Sequence, residues 1–137
     1  MTAIGVIILI LAAALLIIGG MAAARKLPGN NIIGLRVEEA RKSQEIWELS
    51  HAVAGPVWMV GGVALIFGGT VALGAQGWMW IIPVLAVIAS VLAISIGANL
   101  GARAAHLADK AAKEADKPTV NINALRQAAQ SADQKDS

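Results

Sequence analysis

Two long stretches of this chain carry no charged side chain, Met1 to Ala24 and Ala52 to Ala102. The second is interrupted near its middle by Gly74-Ala75-Gln76-Gly77. About 20 apolar residues, each rising ~1.5 Å, are needed to cover ~30 Å of hydrocarbon. Three segments reach that length: residues 3–24, 52–73 and 78–100. None carries the polar stripe that a helix of a soluble bundle turns toward water. With 57% hydrophobic and 15% charged residues among 137, the chain is also more apolar than an ordinary soluble domain. The fold expected is all-α: an integral membrane three-helix bundle.

The charges set the expected orientation. All 20 Lys, Arg, Asp and Glu side chains (11 basic, 9 acidic) lie between Arg25 and Glu48 or between Arg103 and Asp136. The basic flank Arg25-Lys26 follows the first apolar segment instead of preceding it, and no basic stretch opens the chain. The segment therefore reads as a retained span with the N-terminus outside. The loop 25–51 and the tail 103–137 carry the Lys and Arg residues and are expected in the cytoplasm, with the 1–102 region forming the membrane domain. Trp78 and Trp80 fall at the outer end of the third span, where indole rings favour the headgroup zone. The basic loops are read as facing anionic lipid, and nucleic acid is not an expected partner.

Small residues recur within the spans. Gly55, Gly62 and Gly69 repeat every seven residues, and Ala89, Ala93, Gly97 and Gly101 every four. Such rows let helix backbones approach closely, the main source of packing energy in lipid. They are expected to join the three helices to one another, with docking of a second copy or another membrane protein as the alternative. Before the second span, Pro28-Gly29-Asn30-Asn31 is turn chemistry. Helix is expected from Glu38 onward, with Glu38–Lys42 and Arg41–Glu45 as i,i+4 pairs. The third helix is expected to run on through Ala104 to Asp116 and to stop at Pro118. Thr119 to Asn123 reads as extended, with Asn123 capping a short helix over 124–132.

Catalytic constellations are not apparent. There is no cysteine, and the two histidines, His51 and His106, lack ligand-spaced partners. The polar residues of the spans are Thr70, Ser90, Ser95 and Asn99, none ionisable, which argues against an ion-coupled transporter. Neither an enzymatic activity nor a cofactor or metal site is expected. Ser43, Trp47, His51 and Gly55, however, recur every four residues and share one helix face at the membrane boundary.

Together with the preceding Pro28-x-Asn30-x-x-x-Gly34-x-Arg36, this pattern resembles the signature of the SdpI/YfhL family of small bacterial membrane proteins. After Arg36 the chain has Val37-Glu38 where that family commonly has Thr-Pro. The resemblance implies a non-enzymatic, multi-pass protein of the bacterial inner membrane. The founding member protects its producer from a secreted toxic peptide and relays the peptide's presence by holding a repressor at the membrane. It implies that Pro28, Asn30, Gly34, Arg36, Ser43, Trp47, His51 and Gly55 form the functional surface. The expected partners are the lipid bilayer and a toxin peptide or another membrane protein. Two other readings remain open from the residues: an accessory subunit of a larger membrane complex, and a lipid- or peptide-binding module built on Arg36 to His51.

Overall fold

A computed structural model describes residues 2–29, 32–118 and 121–134. Four helices follow one another: α1 (Thr2–Ala23), α2 (Gln44–Gly74), α3 (Ile81–Ala115) and α4 (Ile122–Asp133). Short 3-10 turns occupy Glu39–Arg41 and Gly77–Trp80, and no strand occurs among the described residues. The three segments expected to span the membrane coincide with α1, α2 and α3, each long and apolar enough to do so. At 35 residues, α3 measures about 52 Å, so its last turns extend well beyond a bilayer core.

The helices form an open bundle with α2 in the middle, packed along both α1 and α3. Two rows of glycine on α2 explain this. A Cβ on Gly55, Gly62 or Gly69 would run into α1, meeting Gly19 and Ala23, Leu16, and Leu9 respectively. A Cβ on Gly61 or Gly68 would instead meet Ala93 and Ser90, or Ala86 and Pro83, on α3. Neighbouring positions such as 61 and 62 point roughly 100° apart. Two helices each ~9 Å from α2 and ~100° apart around it stand about 14 Å from each other, beyond the 8–10 Å of direct packing. The result is an apolar groove between α1 and α3, floored by Leu65 and lined by Ile8, Leu11, Val87 and Ile94.

The row on α3 differs from the expected one. Ala89 is exposed, and the face turned to α2 is Ala86, Ser90, Ala93, Gly97, Gly101 and Ala105. Stepping by three as well as four keeps this stripe on one side of a 3.6-residue helix, whereas a strict step of four drifts off it.

Helix ends also depart from expectation. The chain between Glu38 and Glu45 is not one helix. It breaks after the 3-10 turn, and α2 starts afresh with Ser43 in an extended conformation as N-cap, its Oγ accepting the Ile46 N–H at 3.2 Å. The Glu38–Lys42 and Arg41–Glu45 spacings therefore do not lie on a common helix, and Lys42 pairs elsewhere. Likewise Asn121, not Asn123, caps the last helix, its Oδ1 accepting from the Asn123 and Ala124 N–H groups. Both residues are good caps; Asn121 wins because the helix begins two residues earlier than expected. Of the segment read as extended, Ile122 and Asn123 are helical, while 119 and 120 lie outside the described residues.

The chain leaves α1 through a reversal in which the Lys26 N–H reaches the Met21 carbonyl (2.8 Å) and the Arg25 N–H the Ala22 carbonyl (3.1 Å). This requires a left-handed residue, and Arg25 supplies it at φ 57° where glycine is usual. The reversal carries the following loop back across the ends of α2 and α3. Replacing Ser43 by alanine should remove the cap and cost about 1 kcal/mol of stability, measured as a lower unfolding midpoint in mild detergent.

Candidate functional site

The loop between α1 and α2 is fastened over the cytoplasm-expected ends of the helices by its own backbone. Leu27 and Leu35 are both buried there and belong to one core cluster with Ala22, Trp47, Ala54, Trp58 and Ala105. Trp47 Nε1 donates to the Leu27 carbonyl at 3.0 Å. Sixteen residues upstream of His51, the Leu35 N–H donates to His51 Nε2 at 2.9 Å. Two α2 side chains, spaced one turn apart, thus hold two points of the loop.

His51 is wholly buried, and its neighbours fix its protons. An amide N–H can only donate, so Nε2 must be the bare acceptor. The Trp47 carbonyl, 2.8 Å from Nδ1, can only accept, so Nδ1 carries the hydrogen. The imidazole is neutral in a single tautomer with both nitrogens engaged; an imidazolium would have no lone pair to offer Leu35. Trp47 tilts over one side with ring centroids 4.1 Å apart, and Trp58 meets the ring edge-on at 6.0 Å. Trp58 in turn donates Nε1–H to the Ile94 carbonyl of α3 at 3.2 Å. Ser50, also buried, donates its hydroxyl to the Trp47 carbonyl at 2.9 Å.

Glycines make the room this needs. Gly34 has φ 116°, a backbone state that side chains rarely adopt, and a Cβ there would run into the His51 and Trp47 rings. A Cβ on Gly97 would strike Trp58, and one on Gly101 would strike Leu35. Gly55, one turn beyond His51, lies against the backbone of Gly19 and Ala23.

Of the residues singled out in the sequence, Gly34, Trp47 and His51 therefore meet in one place, with Gly55 immediately beneath. Ser43 is the N-cap of α2, one turn before Trp47, and its carbonyl accepts the Trp47 N–H at 3.0 Å. Pro28 is exposed near the start of the loop. Arg36 is exposed and forms no ion pair among the described residues, although it follows the buried Leu35 directly. Asn30 lies outside the described residues. Leu27, Leu35 and Trp58 belong to the cluster and were not singled out, while Gly97 and Gly101, noted only as part of a small-residue row, make room for it. Only Trp58 left a signal, seven residues from His51 on the same helix face.

A second fastening joins the loop to the projecting part of α3. Asp109 Oδ2 accepts from Lys42 at 3.1 Å and from Lys113 at 2.8 Å, and Glu39 lies 3.7 Å from His106. The Lys113 hydrogen bond, then that of Lys42, hold the Asp109 carboxyl below the usual carboxylate range, and Asp109 raises Lys113 above the usual lysine range. A depressed carboxyl pKa stabilises the fold above its unfolded value, about 3.9, and that contribution is lost as pH falls through the folded value. The raised Lys113 contributes below about 10.4 and loses its effect as pH rises through its folded value. The Lys42–Asp109–Lys113 contacts should therefore be constant across neutral pH and be lost only in acid below the ordinary carboxylate range or in strong alkali. Protease cleavage after Lys42, followed by an acid-stable enzyme against pH, checks this, and Asp109→Asn should abolish the pH dependence.

The profile of the SdpI/YfhL protein family matches residues 26–97, just over half the chain, covering the loop, α2 and the first half of α3. The chain belongs to the SdpI/YfhL family. No curated protein and no solved structure gives a significant match. The matched interval contains Leu27, Gly34, Leu35, Trp47, His51, Ala54, Trp58 and Gly97 but not Ala22, Gly101 or Ala105, together with the glycines of α2 that seat α1 and α3.

Proposed function

We propose that this SdpI/YfhL-family protein is a non-enzymatic component of a bacterial inner membrane that confers immunity to a toxic peptide or relays its presence. The observation that carries this reading is the family match over the loop and α2, the region where the buried cluster assembles. The chain crosses the membrane three times with its N-terminus outside. The five Lys and Arg residues of 25–51 and the six of the tail face the cytoplasm. His51 supports a non-catalytic role, because a fully buried imidazole with both nitrogens occupied has neither a free lone pair nor access to a substrate. The surface left for a partner is the exposed side of the fastened loop, Pro28 and Arg36 with the neighbouring Ile32. Deleting the gene and challenging cells with the co-produced peptide should raise sensitivity, and Arg36→Ala should fail to restore protection while still reaching the membrane. Unchanged sensitivity of the deletion strain would overturn the immunity role.

The groove between α1 and α3 favours a second reading, an accessory subunit of a larger membrane complex. Its cavity of about 330 Å³ is walled almost entirely by apolar side chains. Purification in mild detergent separates the two readings: a stoichiometric companion supports the accessory role, and a free monomer opposes it.

A further inference from the structure

Beyond the end of α2, the face of α3 that packs against it continues uncovered. Ala105 and Asp109 are buried, but Ala111 and Ala112 are exposed because α2 starts only at Gln44. Here Ser43, Ile46 and Leu49 of α2 and Ala108, Ala111 and Ala112 of α3 line a cavity of about 450 Å³, with Glu45 on its rim. Separated from the end of α3 by six residues, α4 has all its side chains exposed. Its apolar face is Ile122, Leu125, Ala129 and Ala132, and Ile122 and Leu125 are 67% and 59% exposed. A 12-residue helix is marginal in water unless its apolar face is covered.

We propose that this cavity is the docking site of the chain's own α4, which folds back antiparallel along α3 and extends the α2–α3 seam. The six intervening residues reach ~20 Å, ample for helices packed 8–10 Å apart. In that return Ile122 comes level with Ala115, Leu125 with Ala112 and Ala129 with Ala108, which places Leu125 at the cavity. Arg126 comes level with Ala111, beside Glu45, so the one basic side chain of α4 meets the acidic rim. The docked helix covers the end of the loop clasp, next to Lys42 and Asp109, and so couples the tail to the site beneath.

The absence of cysteine allows a direct test. The full chain carrying Ala108→Cys and Ala129→Cys, oxidised in membranes, should form an intrachain disulfide. Adding Leu125→Asp should reduce its yield about tenfold, the change expected for losing one leucine's burial. Arg126→Glu should also reduce it, and Glu45→Arg added to Arg126→Glu should restore it. An interchain disulfide would overturn the proposal in favour of a second copy's helix in the cavity. No disulfide, or a yield indifferent to Leu125→Asp, would overturn it outright.

Discussion

Substituting Gly55 with valine is expected to separate α1 from α2 and to be among the most destabilising single changes in this protein. The reason is what stands opposite. A Cβ at Gly55 points at the backbone of Gly19 and Ala23, which has no rotamer to change and can yield only if a whole helix moves. Overpacking of a close contact usually costs 1–3 kcal/mol; against backbone on both sides, about 3 kcal/mol or more is expected. Gly20 provides the control, since a Cβ there meets nothing within 4 Å. Gly20→Ala should be neutral or stabilise by roughly 0.5–1 kcal/mol, the usual gain in helix propensity. Unfolding midpoints of both variants in mild detergent test the pair. Equal tolerance at the two sites would show that the α1–α2 crossing is not set by Gly55.

His51→Leu should leave the three long helices in place and free the loop. Leucine fills much of the imidazole's space but offers no acceptor, so the buried Leu35 N–H loses its partner at a cost of about 1–3 kcal/mol. The tilted contact of the imidazole with Trp47 and its edge-on contact with Trp58 are lost as well. Because the loss falls on the loop, trypsin should cut more rapidly after Arg25, Lys26 and Arg36, while helix content stays nearly constant. His51→Gln can present an oxygen to the same N–H and should recover part of the protection. A trypsin pattern unchanged in His51→Leu would show that Trp47 and the buried leucines hold the loop without it.

The Gly34, Trp47 and His51 pattern of this chain thus has a physical content. Gly34 gives the loop a backbone state and a clearance, His51 receives the amide of the next residue, and Trp47 ties down the start of the loop at Leu27. Arg36 is carried outward by the same arrangement: fixing Leu35 inward leaves the following side chain facing away from the core.

Much of this was legible in the sequence where the signal is local. The Trp47–His51–Gly55 step of four residues marks a helix face, and that face is buried. The charge-free segments correspond to α1, α2 and α3. Less local features were misread or unseen. The charge spacings around Glu38 suggested a continuous helix, yet Ser43 restarts it and Lys42 turns to Asp109, 67 residues away. Leu27 and Leu35 look like any loop leucines, because what fixes them is their backbone carbonyl and N–H, groups every residue possesses.

Residue order alone therefore determined the class of the molecule. Runs of apolar side chains long enough to cross hydrocarbon must satisfy their peptide groups internally, and a helix does this without reference to any other part of the chain. What only the tertiary structure decided is which glycine row seats which helix, how α1 and α3 come to stand apart, and how the loop closes over His51. Those outcomes depend on contacts between segments distant in sequence, where the direction of a donor and the space around a Cβ select the partner and the periodicity of any single helix does not.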